Sequence, residues 1–176
     1  MKSYELPKQS FITGNYIPAE ICDDLVSYYD DTPERQVLSQ IALYSHNPND
    51  MRILDKYLDG LIHCVALYEK TFERARSLND YAITERICIQ KYNPKEGYDT
   101  WHCERNGIEN NNRCFAFMSY LNDVSDGGTE FLYQDLNIPA EKGLTLIWPS
   151  DWTHTHRDVL AENDCKYLIT GYFNYT

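Results

Sequence analysis

The chain has 176 residues, enough for one domain with a sizeable core, and 43% of them are hydrophobic, which excludes a disordered polymer. Its net charge of -11 argues against general binding to nucleic acid or to an anionic membrane, since both need a basic face. No apolar run reaches the roughly 18 residues of a membrane span, and the opening Met-Lys-Ser-Tyr-Glu-Leu-Pro lacks the apolar core of a secretion signal.

The first half reads as helical. Pro18 suits a first helical position, and Ile21, Leu25, Tyr28 and Tyr29 then recur on one face. A second start comes at Asn47-Pro48, with Asn47 as the cap. From there Leu54, Leu58, Leu61, Ile62, Val65, Tyr68 and Phe72 trace an amphipathic stripe, interrupted by Gly60 at a cost of roughly 1 kcal/mol. After residue 80 short β-rich runs take over, at about 86–92, 99–104, 113–121, 129–134, 143–149, 152–157 and 166–175. Turn residues separate them: Asn93-Pro94, Asn110-Asn111-Asn112, Asp126-Gly127-Gly128 and Glu141-Lys142-Gly143.

Helices first and strands afterwards predict an α+β, mainly β fold. Its core is a double-stranded β-helix, or jelly roll, over about 81–176, with supporting helices over about 1–80 in one domain. The six cysteines at 22, 64, 88, 103, 114 and 165 form no C-x-x-C pair, which speaks against a zinc ribbon and for reduced thiols in a cytoplasmic protein.

Chemistry concentrates at Trp101-His102-Cys103-Glu104. In a strand, residues i and i+2 share a face, so His102 and Glu104 would aim at one point while Cys103 faces away. Two histidines and one carboxylate make a facial triad that leaves positions open on Fe(II). The second histidine is sought in Trp152-Thr153-His154-Thr155-His156-Arg157, which offers two of equal strand parity. An H-x-E tripeptide alone is common on surface strands, so the weight rests on what stands at fixed distances from it.

Several segments stand in a familiar order. Tyr92-Asn93-Pro94 through His102 resembles the Y-x-P-G…H-x-D stretch of the prolyl 4-hydroxylase family. Arg113 through Asn122 is similar to its R-x6-Y-L-N strand, and Asp126 through Phe131 to its G-G-x-T-x-F turn, with one residue fewer. Lys142 through Pro149 resembles its K-x-G strand, and His156 with Lys166 through Phe173 its closing H-x9-[RK]-Y segment. These stations span residues 86 to 173, half the chain.

The resemblance implies a 2-oxoglutarate-dependent dioxygenase that uses Fe(II), 2-oxoglutarate and O2 to hydroxylate a C–H bond. The substrate it implies most directly is a peptidyl proline; another amino acid or small molecule, or a non-catalytic metal-binding jelly roll, are the alternatives. It implies His102, Glu104 and His156 as iron ligands, with His154 the alternative to His156. Glu104 departs from the family's usual Asp and is one methylene longer. Lys166 takes the place of the cation that anchors the distal carboxylate of 2-oxoglutarate, and Tyr92, Tyr120 and Thr170 match positions that bond the co-substrate or its anchor. The polar loop Arg105 to Asn112 is a candidate lid.

Overall fold

The computed structural model describes residues 2–77 and 80–176. The first helix, α1 (Ala19–Asp30), starts directly after Pro18, which stands at the cap rather than in the first turn. Cys22, Leu25 and Tyr29 are its buried face. The second, α2 (Pro48–Thr71), is capped as expected: Asn47 Oδ1 accepts from the backbone N–H of Asn49 at 2.9 Å and of Asp50 at 3.4 Å. Its buried face runs through Ile53, Tyr57, Gly60, Leu61, Cys64 and Tyr68. Ile62, expected on that face, is 62% exposed, because it lies about 100° round the helix from Leu61. Gly60 has a packing reason. A Cβ there would stand 3.0 Å from Ile17 Cγ2, so the missing side chain lets the helix lie close.

Asp50 fixes the start of α2 to the rest of the molecule. It is fully buried and accepts from Tyr28 Oη, from the Tyr44 N–H at 2.8 Å and from Arg35 Nη2 at 2.9 Å. Burial pushes its carboxyl up, but the Arg35 and Tyr28 hydrogen bonds outweigh burial and hold it below the usual carboxylate range. A depressed folded value means that its stabilisation is present above the unfolded value and is lost as pH falls through the folded one. Asp50→Ala is expected to destabilise the fold by about 3 kcal/mol, read as a lower urea midpoint with an unchanged slope, since it strands a partly buried guanidinium.

In chain order the strands are β1 (Ser3–Tyr4), β2 (Thr13–Tyr16), β3 (Gln40–Leu43), β4 (Tyr81–Ala82), β5 (Ile87–Tyr92), β6 (Arg113–Tyr120), β7 (Val124–Phe131), β8 (Leu136–Ala140), β9 (Leu144–Pro149), β10 (His156–Val159) and β11 (Lys166–Tyr175). Antiparallel pairing orders the larger sheet β1-β2-β9-β6-β11-β5-β3, with β4 on β11, and the smaller one β10-β7-β8. This is the jelly roll the strand pattern predicts.

Four differences from the sequence expectations bear on the site. The run 99–104 is not a strand; only the isolated bridge His102↔His156 remains of it. The run 152–157 divides into a 3-10 turn, Trp152–His154, and β10. Asp126-Gly127-Gly128 is no turn but lies inside β7, where the register against β8 shifts between Val124 and Gly128. The short strands β1 to β4 and the edge strand β8 carry weak patterns, and β8 contains Pro139, which edge strands tolerate.

The central strands bury both faces, which is why they read as apolar runs rather than as alternating ones. One face of β6, β9 and β11, with Phe117, Ile147 and Ile169, packs on α1 and α2. The opposite face, with Met118, Leu146, Trp148 and Leu168, looks toward the smaller sheet. A cavity of about 290 Å3 opens from this inner layer.

Candidate metal centre

His102, Glu104 and His156 meet at this cavity, with one donor atom from each lying within 4.8 Å of the others. Glu104 Oε1 is 3.3 Å from His156 Nε2 and 3.7 Å from His102 Nε2. Strand alternation is not what brings them together. The backbone of His102 exchanges hydrogen bonds with that of His156 at 3.0 and 2.9 Å, and the Arg105 N–H reaches Ser150 O at 2.9 Å. Arg105 also forks onto Asp151 through Nε at 2.9 Å and Nη2 at 2.6 Å. Cys103, expected to face away, lines the cavity as well, because no regular pleat exists there.

Hydrogen bonds orient both imidazoles. His102 Nδ1 lies 2.9 Å from Thr100 O, and His156 Nδ1 lies 2.9 Å from His154 O. A carbonyl only accepts, so each Nδ1 carries a proton and each Nε2 is left to face the Glu104 carboxylate. Three electron-rich atoms so close together call for a cation among them. Burial, then the charge of His156, lowers the His102 pKa, which favours the neutral, ligating form. Burial alone would raise the Glu104 carboxyl; the neighbouring imidazoles of His156 and His102 and the hydrogen bond of Tyr172 together lower it. Arg113 Nη1 donates to the backbone carbonyl of Glu104 at 3.2 Å and lies 3.8 Å from its carboxylate Oε2, with the guanidinium 3.6 Å from the Tyr172 ring centroid.

The equal parity of the two distal histidines does not exist in the structure. His154 sits on the 3-10 turn and is buried, with Nε2 2.9 Å from Ser10 O and Nδ1 3.0 Å from Thr153 Oγ1. Both nitrogens are occupied away from the centre.

Lys166 is 1% exposed and heads β11 as expected, opposite Tyr92 in register and 5.5 Å from that ring. Its Nζ is 3.0 Å from Asp158 Oδ1, yet forms no well-aligned hydrogen bond among the described residues. The charges are paired while the donor hydrogens are not aimed at an acceptor. Tyr92 and Thr170 line the cavity; burial, then the charge of Asp158, pushes the Tyr92 phenol up to about 12. Tyr120 does not line it. Its hydroxyl is 2.6 Å from Thr129 Oγ1, and Thr129 forms part of the wall.

Trp148 is buried and lines the cavity, with no partner for Nε1 among the described residues, whereas Trp101 and Trp152 are 38% and 65% exposed. Asp158 escaped the sequence reading altogether. The signal was there, two residues after His156 on the same strand face, but the carboxylate has no place in the motif as read.

The sequence model of the 2OG-Fe(II) oxygenase superfamily matches residues 87–174, half of the chain. Among solved structures, viral collagen prolyl hydroxylase from Paramecium Bursaria Chlorella virus-1, in complex with 2OG, is 14% identical. It superposes with a TM-score of 0.73 over 94% of this chain and 96% of its own. A Pseudomonas putida prolyl-4-hydroxylase is also 14% identical, with a TM-score of 0.67 over 95% of this chain and 94% of its own. No curated protein sequence matches.

Proposed function

The chain belongs to the 2OG-Fe(II) oxygenase superfamily and is a 2-oxoglutarate-dependent dioxygenase, and from that premise we propose that it hydroxylates a proline residue in a peptide. The observation that carries the reading is the convergence of His102, Glu104 and His156 at one cavity wall. Two imidazoles and one carboxylate fit Fe(II), because they supply three donors and leave further positions for the co-substrates. The buried Lys166 ammonium, which makes no well-aligned hydrogen bond among the described residues, fits the distal carboxylate of 2-oxoglutarate. Residues 1–176 act on this reading as one catalytic domain.

When bound, Fe(II), 2-oxoglutarate and O2 together supply the oxidation that replaces C–H by C–OH, with release of succinate and CO2. The protein contributes placement. His102 and His156 offer Nε2 because backbone carbonyls hold their Nδ1 protons. Tyr92 and Thr170 bound the chamber in which the co-substrate lies, and Tyr120 acts through Thr129. Burial of Trp148, Met118 and Leu168 around the centre keeps water away from the reacting atoms.

A peptide is supported by the two prolyl hydroxylases that share the fold, and by aromatic side chains near the centre. Tyr98 is 54% exposed and packs edge-on against His102, and Trp101 lies beneath Arg157. Exposed rings are the surfaces on which extended proline segments dock. Cysteines that form no disulfide, among them Cys22, Cys88, Cys103, Cys114 and Cys165, support a reducing compartment such as the cytosol. Among the described residues no helix is long and apolar enough to cross a membrane.

Anaerobic protein given Fe(II) and 2-oxoglutarate is expected to develop a weak visible charge-transfer band that His102→Ala abolishes. Proline-containing peptides incubated with the aerobic system should then gain one oxygen atom on proline by mass spectrometry. A band that survives His102→Ala would sink the metal site; oxygen found only on other residues would sink the proline assignment.

A further inference from the structure

The cavity ends not on Lys166 but on Asp158, whose carboxylate lines the wall while the lysine behind it does not. We propose that Asp158 is an internal competitor for Lys166, holding the ammonium in the resting protein and giving it up when the distal carboxylate of 2-oxoglutarate enters. This rests on the reading of Lys166 as the co-substrate anchor.

Charge and geometry carry the inference. Lys166 and Asp158 stand 3.0 Å apart with side chains 1% and 11% exposed, so together they form a neutral buried pair. The aromatic ring of Tyr92 lies beside the ammonium and adds no formal charge. A second carboxylate on the same lysine would leave one negative charge unbalanced in a low-dielectric pocket, which is costly. The pair is also poorly made. Lys166 Nζ finds no hydrogen-bond geometry with the oxygen it faces, so the ammonium donors remain available to a ligand that can align with them.

Asp158 has somewhere else to spend its charge. Its Oδ2 accepts the Tyr98 N–H at 2.9 Å, and its own N–H donates to Tyr98 O at 2.9 Å. The carboxylate therefore bridges Lys166 and the segment between Tyr92 and His102. A Cβ on Gly97 would stand 3.1 Å from Oδ2, so that segment passes against the carboxylate itself. Entry of the co-substrate exchanges one carboxylate for another on Lys166 and leaves Asp158 to the Tyr98 amide. The residue sets how tightly the anchor holds a dicarboxylate, and does so at the expense of affinity.

Calorimetric titration of 2-oxoglutarate into Mn(II)-loaded protein tests this without turnover. Asp158→Asn keeps an oxygen for the Tyr98 amide and removes the charge, and is expected to tighten binding by about tenfold. Lys166→Met is expected to weaken it by more than about tenfold while Mn(II) binding is kept. If Lys166→Met weakens binding and Asp158→Asn weakens it or leaves it unchanged, Asp158 supports the lysine and the competitor role is overturned. If Lys166→Met binds like the unaltered protein, the anchor itself is wrong, and the competitor role falls with it. Thermal melting in parallel checks folding, and Asp158→Ser takes the place of Asp158→Asn if the latter does not fold.

Discussion

His156→Ala is expected to abolish metal binding, whereas His154→Ala keeps it and weakens the fold instead. The two residues are neighbours in sequence and opposites in role. His156 Nε2 is 3.3 Å from Glu104 Oε1 and its Nδ1 is tied to a carbonyl, so its free nitrogen faces the centre. Removing it deletes a donor from a set of three. The loss of Mn(II) affinity should exceed the roughly 10- to 100-fold that losing a partner which merely orients a ligand costs. His154 offers the centre only its backbone carbonyl, which accepts from His156 Nδ1 and survives substitution by alanine. Its side chain, 4% exposed, bonds Ser10 O at 2.9 Å. Alanine would leave that acceptor unpaired beside a void, at about 1–3 kcal/mol. Metal titration and thermal melting of both variants separate the roles. Equal metal loss in the two would mean that His154 matters to the centre beyond its carbonyl.

Gly128→Ala should damage the fold more than any exposed substitution. Gly128 has φ +154°, and a Cβ there would stand 2.3 Å from the Ile138 carbonyl oxygen on β8. The obstacle is paired backbone, not the end of a flexible side chain, so β7 and β8 would have to part. The expected cost is about 3 kcal/mol or more, a fall in melting temperature of roughly 6–12 °C. The damage should reach the site, because β7 carries Thr129 and pairs with β10, which bears His156 and Asp158. Gly128→Ala melting within about 2 °C of the parent would show that the sheet yields at little cost.

How far these residues were legible in the sequence depended on the regularity of the backbone that carries them. On β11 alternation holds, so Lys166 and Thr170 could be assigned to the inner face by counting. The cap at Asn47 was equally readable, since it depends on contacts two and three residues away. On α2 the stripe was right in kind but rotated, and Ile62 fell outside it. The same counting was applied to 99–104 and 152–157, where the pleat is absent. It paired His102 with Glu104 for a reason the structure does not support, and it turned Cys103 the wrong way.

The sequence by itself determined the types of donor, their order along the chain, the central strands and the cation at the head of the last one. The strands depend on local periodicity, and the donor set and the cation on ordered motifs that resemble those of the family. Only the tertiary structure decided that His156 faces Glu104 while His154 turns to Ser10, that Tyr120 reaches the cavity through Thr129, and that Asp158 stands on Lys166. Each of those outcomes depends on a contact between segments far apart in the chain. Where the backbone is irregular, such contacts, rather than residue parity, set the direction of a side chain.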